Sequence, residues 1–191
     1  MTGKFLTGLI LAAIAVGGGE TTERDIRLPA PGGNLVAPLD PDPNVRATVA
    51  LFVRTDCPIS NRYAPEVRRI HETYSKQGVA FWLIYPDPDV EDDAIREHLE
   101  AYSYPMPALK DPEHRLVRRA GAKITPEAAL FDSDGKLVYL GRIDDRYVDF
   151  GKSRREPTRH DLALALDALL AGRPVELDRT KAIGCFIDDL R

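Results

Sequence analysis

The stretch Val49–Glu66, VALFVRTDCPISNRYAPE, decides how the chain is read. Its first five residues, Val49-Ala50-Leu51-Phe52-Val53, are a short run without a polar position, as expected of a strand covered on both faces. Arg54-Thr55-Asp56 breaks the run, and Cys57 follows with Pro58 directly after it. Proline is tolerated at the first helical position, whose N–H needs no intrahelical partner, so Cys57 is predicted as the N-cap of a helix. A thiol there faces unpaired backbone N–H groups and the positive end of the helix, which favour thiolate over thiol. Pro65, eight residues on, removes one helical hydrogen bond and is expected to kink the helix.

Working outward, the helix is expected to run from Pro58 to about Ser75. Ile59, Tyr63, Val67, Ile70 and Tyr74 share its buried face, and Gln77-Gly78 stops it. Val79–Tyr85, VAFWLIY, is a second continuous apolar run. Strand, helix and strand in this order predict a right-handed crossover into a parallel sheet, with Trp82 read as core. A helix over 94–102, capped by Asp92 or a neighbour, a short strand within 105–111 and a short helix over 113–120 follow. Ala128–Phe131, the turn Asp132-Ser133-Asp134-Gly135 and Lys136–Arg142 read as an antiparallel hairpin. Residues 143–157 are polar and read as a surface excursion beside the site. Thr158 is expected to begin a last helix that buries Leu162, Ala165, Leu166, Leu169 and Leu170. Upstream, Ile26–Asp40 reads as a hairpin around Pro31-Gly32-Gly33.

Composition limits the function classes. The chain has 191 residues, 43% hydrophobic and 29% charged, with a net charge of −4. That is an ordinary globular composition without the basic surplus expected of a nucleic-acid binder. Lys4 precedes an apolar run from Phe5 to Val16 that ends in Gly17-Gly18-Gly19. We read residues 1–19 as a signal peptide, too short for a membrane span, and hence expect an exported protein, periplasmic or extracellular, with no stable membrane insertion after cleavage. The division expected is a signal over 1–19, an N-terminal extension over 20–44, one domain over 45–172 and a tail over 173–191. The tail carries Cys185, the only cysteine besides Cys57. His98, His114 and His160 are read as surface residues, and the acidic turn Asp87–Asp93 lacks the glycine and distant glutamate of an EF-hand loop. No metal ligand and no cofactor is assigned.

Cys57, Pro58 and Pro65 together resemble the active-site helix of the thioredoxin superfamily, with Ser60 in place of the second cysteine of C-x-x-C. Ile124-Thr125-Pro126 before the hairpin matches the position of that superfamily's cis-proline. The order of elements is similar to its redoxin branch, which includes the alkyl hydroperoxide reductase/thiol-specific antioxidant group. The resemblance implies an α/β fold: a thioredoxin-like three-layer sandwich with a central mixed sheet, helices on both faces and here an N-terminal hairpin extension. It implies Cys57 as nucleophile, and Pro58, Ser60, Thr125 and Pro126 as substrate-binding residues, with the Thr125 backbone free to pair with an extended thiol substrate. Two departures matter. Ser60 cannot release a mixed disulfide. Peroxiredoxins carry P-x-x-x-T-x-x-C, and Ala50 and Arg54 stand at its proline and threonine positions, so peroxide reduction is not carried over.

The sequence leaves three readings. In the first the chain is a thiol–disulfide oxidoreductase in which Cys57 attacks and Cys185 resolves, its partners being protein or small-molecule thiols and disulfides. In the second it is a non-catalytic binding module whose Cys57–Cys185 disulfide pins the tail, closing a loop that stabilises by about 4–5 kcal/mol on an entropic model. In the third the two cysteines bind a soft metal.

Overall fold

The computed structural model describes residues 25–40 and 42–187; the segment read as a signal peptide lies outside them. In chain order the elements are β1 (Leu28–Pro29), β2 (Leu35–Val36), β3 (Ala47–Phe52), α1 (Pro58–Arg62), α2 (Ala64–Tyr74), β4 (Val79–Tyr85), α3 (Asp92–Ala101), β5 (Ala108–Lys110), α4 (Arg115–Ala120), β6 (Ile124–Thr125), β7 (Glu127–Asp132), β8 (Leu137–Gly141), β9 (Tyr147–Asp149), β10 (Lys152–Ser153), α5 (Asp161–Leu170) and β11 (Cys185–Phe186). The central sheet has the order β5-β4-β3-β7-β8. β3, β4 and β5 are parallel, and β7 and β8 run antiparallel to them. This is the mixed α/β sandwich expected.

All six residues of β3 are buried, because both faces of the strand are covered. Val49, Leu51 and Val53 pack with Val67 and Ile70 of α2, Ile95 of α3 and Leu162 and Leu166 of α5. Ala50 and Phe52 point the other way, onto Leu116 and Val117 of α4, Leu28 of the β1–β2 hairpin and Ile187 of the tail. The period-two alternation thus divides one apolar run between two cores. Asp111, fully buried, accepts the N–H groups of Arg115, Leu116 and Val117 at 2.7, 2.9 and 2.9 Å and so supplies the missing partners at the start of α4.

Several expectations are corrected. The first helix breaks at Tyr63 into α1 and α2, next to Pro65, and ends in a 3₁₀ turn at Ser75–Gln77 before Gly78, whose φ is 83°. Glu91 precedes α3 without a side-chain cap, and Asp92 instead binds Gly32 N–H at 2.8 Å and Lys110 Nζ at 3.0 Å. The last helix starts at Asp161, three residues late, because Asp145 takes the N–H groups of Thr158 and Arg159 at 2.6 and 2.9 Å and holds them off the helix. Residues 143–157 are no mere surface excursion: Ile143, Asp144, Asp145 and Tyr147 are buried, and the exposed part is confined to residues 148–156. His98 and His114 are buried too.

The tail docks in two places. Residues 178–180 lie along β8, with Leu140 N–H donating to Asp178 O at 2.9 Å and Thr180 N–H to Leu140 O at 3.1 Å. The Thr180 hydroxyl lies 2.7 Å from Tyr139 Oη and accepts Arg142 N–H at 3.0 Å. Gly141 permits this, since a Cβ there would stand 2.1 Å from Thr180 Oγ1. Further on, β11 pairs antiparallel with β6. Among the described residues no helix is long and apolar enough to cross a membrane.

Candidate active site

Cys57 lies beyond the C-terminal end of β3, where β3 hands over to α1. The register Phe52↔Glu127 puts Thr125 and Pro126 at that same end of the sheet. The Thr125–Pro126 peptide bond is cis, as the resemblance implied. The Cys57 thiol is fully buried and donates to Thr125 O at 3.2 Å. Cys185 stands opposite Thr125 in the β6–β11 ladder, and Phe186 opposite Ile124. Ile187 N–H continues the ladder to Lys123 O at 3.0 Å. Both cysteines are free thiols, and Cys185 lies near enough to Cys57 for each to shift the other's pKa.

The site discriminates between them electrostatically. Burial alone would raise the Cys57 pKa, but the nearby donor groups of the Cys185 thiol, Ser60 N–H, the Ser60 hydroxyl and Cys185 N–H bring it below its ordinary value. The Ser60 hydroxyl is buried and forms no hydrogen bond of normal geometry, so its effect on the sulfur is that of a nearby dipole. Cys185 goes the other way: burial, its hydrogen bond to Cys57 and the Cys57 charge push it up to about 12, with Arg54 opposing. Of the two thiols, Cys57 is therefore the one that loses its proton more readily and Cys185 the one that keeps it. Ser60 N–H, in the first turn of α1, is one of the unpaired helix-start groups expected to act on this thiol. Ser60→Ala removes the hydroxyl, so the midpoint of Cys57 alkylation by iodoacetamide is expected to move to higher pH. An unmoved midpoint would remove Ser60 from this role.

Supporting residues were not legible in advance. Arg54, the residue at the peroxiredoxin threonine position, makes a two-pronged contact with Asp56 at 3.0 Å on each side and donates to Phe186 O at 3.4 Å, linking the cysteine loop to the tail. Asn61 Nδ2 donates to Thr55 O at 3.0 Å, and its Oδ1 lies 2.8 Å from His98 Nε2. His98 Nε2–H is thus the donor, so Nδ1 accepts the Tyr85 hydroxyl at 2.7 Å. Burial lowers the His98 pKa, consistent with this neutral form. Through Asn61, this chain of groups on β4 and α3 fixes the turn two residues before Cys57. Glu127 Oε2 accepts Lys123 and Ile124 N–H at 2.8 and 3.3 Å and sets the approach to Pro126. Gly184 lies against β6, where a Cβ would stand 2.0 Å from Thr125 O. The only sequence signal for this close approach is the Gly-Cys pair itself.

A buried cysteine at the end of the central strand, facing a cis-proline loop on a five-stranded mixed sheet, defines a thioredoxin-like protein. The chain belongs to the AhpC/TSA family, whose model matches residues 40–140. A conserved protein of uncharacterised function from Geobacillus kaustophilus is similar at 30% identity with a TM-score of 0.72, over 84% of this chain and 86% of that one. A hypothetical protein from Sinorhizobium meliloti 1021 has the same identity and TM-score, over 85% and 89%. A secreted disulfide oxidoreductase of Mycobacterium tuberculosis shares the fold at 16% identity with a TM-score of 0.52, over 78% and 97%. Comparison with curated proteins found none that matches.

Proposed function

We propose that the protein is an exported thiol–disulfide oxidoreductase that cycles between a Cys57–Cys185 dithiol and the corresponding disulfide. The observation that carries this reading is the pairing of a buried sulfur with lowered pKa and a second thiol with raised pKa, held together across Thr125. The Cys57 thiolate attacks one sulfur of a substrate disulfide, forming a mixed disulfide and expelling the first substrate thiolate. Cys185 then gives its proton to the departing second thiolate as its own sulfur bonds to Cys57. The products are two substrate thiols and one internal disulfide, which an external dithiol reduces to restart the cycle. Cys185 supplies the resolving thiol that Ser60 cannot.

Pro58 and Ser60 border the approach to Cys57. Thr125 and Pro126 form the edge that the tail takes in the reduced chain and a substrate strand takes in its turn. Removal of residues 1–19 on export and a catalytic domain over 45–172 complete the reading, since an oxidising compartment lets such a disulfide persist.

The reading is tested by peptide mass mapping after mild oxidation together with insulin-reduction assays. A Cys57–Cys185 link and loss of activity in Cys57→Ser are expected; full activity in that variant, or absence of the link, sinks it. The two-point docking of the tail favours one competitor, a permanent structural disulfide. A reduction potential below about −300 mV identifies that case, and a higher one a working pair.

A further inference from the structure

The segment Gly141-Arg142-Ile143-Asp144-Asp145 takes no part in the thiol chemistry, yet both of its aspartates are buried. Asp145 is fully engaged. Besides the N–H groups of Thr158 and Arg159 it accepts the Thr158 hydroxyl, and Arg154 Nε lies 3.3 Å from it. This clamp sets the residue that follows, His160, beside Asp144. The imidazole does not cap α5.

Asp144 is only half engaged. Oδ1 accepts the Tyr63 hydroxyl at 2.6 Å and Arg146 N–H at 2.9 Å. Oδ2 is buried without any partner, on a residue 1% exposed. Glu66, from the first turn of α2, completes the group: one donor atom each from Glu66, Asp144 and His160 lie within 4.8 Å of one another. His160 Nδ1 stands 3.3 Å from Glu66 Oε1 without a hydrogen bond of good alignment. Two carboxylates and an imidazole nitrogen thus converge, and an unsatisfied buried carboxylate oxygen is costly.

We propose that Glu66, Asp144 and His160 form a binding site for a divalent transition-metal ion, of which Zn²⁺ is the representative. Two oxygens and one imidazole nitrogen are a donor set such ions accept, with bonds of about 2.0–2.2 Å. Both acids are already oriented by outer groups, Asp144 by Tyr63 and Glu66 by a two-pronged Arg69 at 2.6 and 2.8 Å, as metal-ligating carboxylates commonly are. The His160 side chain is 45% exposed, which leaves a path for the ion and an open position for water. The bound ion would join α2, the loop after β8 and the start of α5.

The test uses the full chain with Cys57→Ser and Cys185→Ser, so that thiolates cannot contribute, titrated with Co²⁺ and then Zn²⁺. Expected are one equivalent of Co²⁺ with visible d–d bands, no thiolate charge-transfer band, and displacement by Zn²⁺. Asp144→Asn and His160→Gln should each weaken binding about tenfold or more. His160→Gln, at a half-exposed position, checks the site where Asp144→Asn disturbs folding, with circular dichroism as control. Absence of saturable binding in the cysteine-free chain, or binding unchanged in a folded His160→Gln, overturns the proposal.

Discussion

Gly184→Ala is expected to lift the tail off the site and slow formation of the internal disulfide about 100-fold, the order of loss seen when reacting groups are displaced by about an ångström. The added Cβ would stand 2.0 Å from Thr125 O and 2.7 Å from its carbonyl carbon. Neither atom can give way easily, because Thr125 is fully buried and its carbonyl lies against the Cys57 thiol. The strand must therefore shift, and Cys185 moves with it. Cys57 also loses its cover and the two donors that Cys185 supplies. The reduced variant should alkylate at Cys57 faster with bulky reagents, with its pH midpoint raised. The measurement is peptide-resolved alkylation of both cysteines beside the rate of disulfide formation. Wild-type rates in Gly184→Ala would mean that the tail does not present Cys185 in this register.

Cys185→Ser should separate attack from resolution. Cys57 retains its Ser60 donors, so it still attacks a disulfide, but nothing within the chain can then release it. A stable mixed disulfide with the substrate is expected to accumulate, and turnover to fall about 100-fold or more, because an external thiol must replace an oriented intramolecular one. Cys57→Ser should give neither the adduct nor turnover. The adduct is read by intact-mass measurement under non-reducing conditions. Undiminished turnover in Cys185→Ser would assign resolution to a thiol outside this chain.

Much of the fold was legible because it depends on local signals. The two apolar runs, Val49–Val53 and Val79–Tyr85, form largely buried strands, and such strands carry no polar alternation to confuse the reading. Pro58 and Pro65 set the start and the break of the first helix through their missing N–H groups. Errors fell where a distant side chain displaced a local preference. Thr158 reads as a helix start, but Asp145 takes its N–H. His98 reads as a surface histidine on a charged helix, but Asn61 and Tyr85 provide buried partners for both ring nitrogens.

The sequence by itself determined the class of fold, the cysteine placed at the start of the first helix and the absence of a second cysteine near it, because all three are written within the eighteen residues from Val49 to Glu66 and the Thr125-Pro126 pair. Only the tertiary structure decided where Cys185 goes. A tail without hydrophobic periodicity carries no local instruction, and its course is set by backbone pairing with β8 and β6 and by two glycines whose lack of a Cβ admits it. The same holds for Glu66, Asp144 and His160. Separated by 78 and 16 positions, they meet only because α2, the loop after β8 and the start of α5 pack against one another.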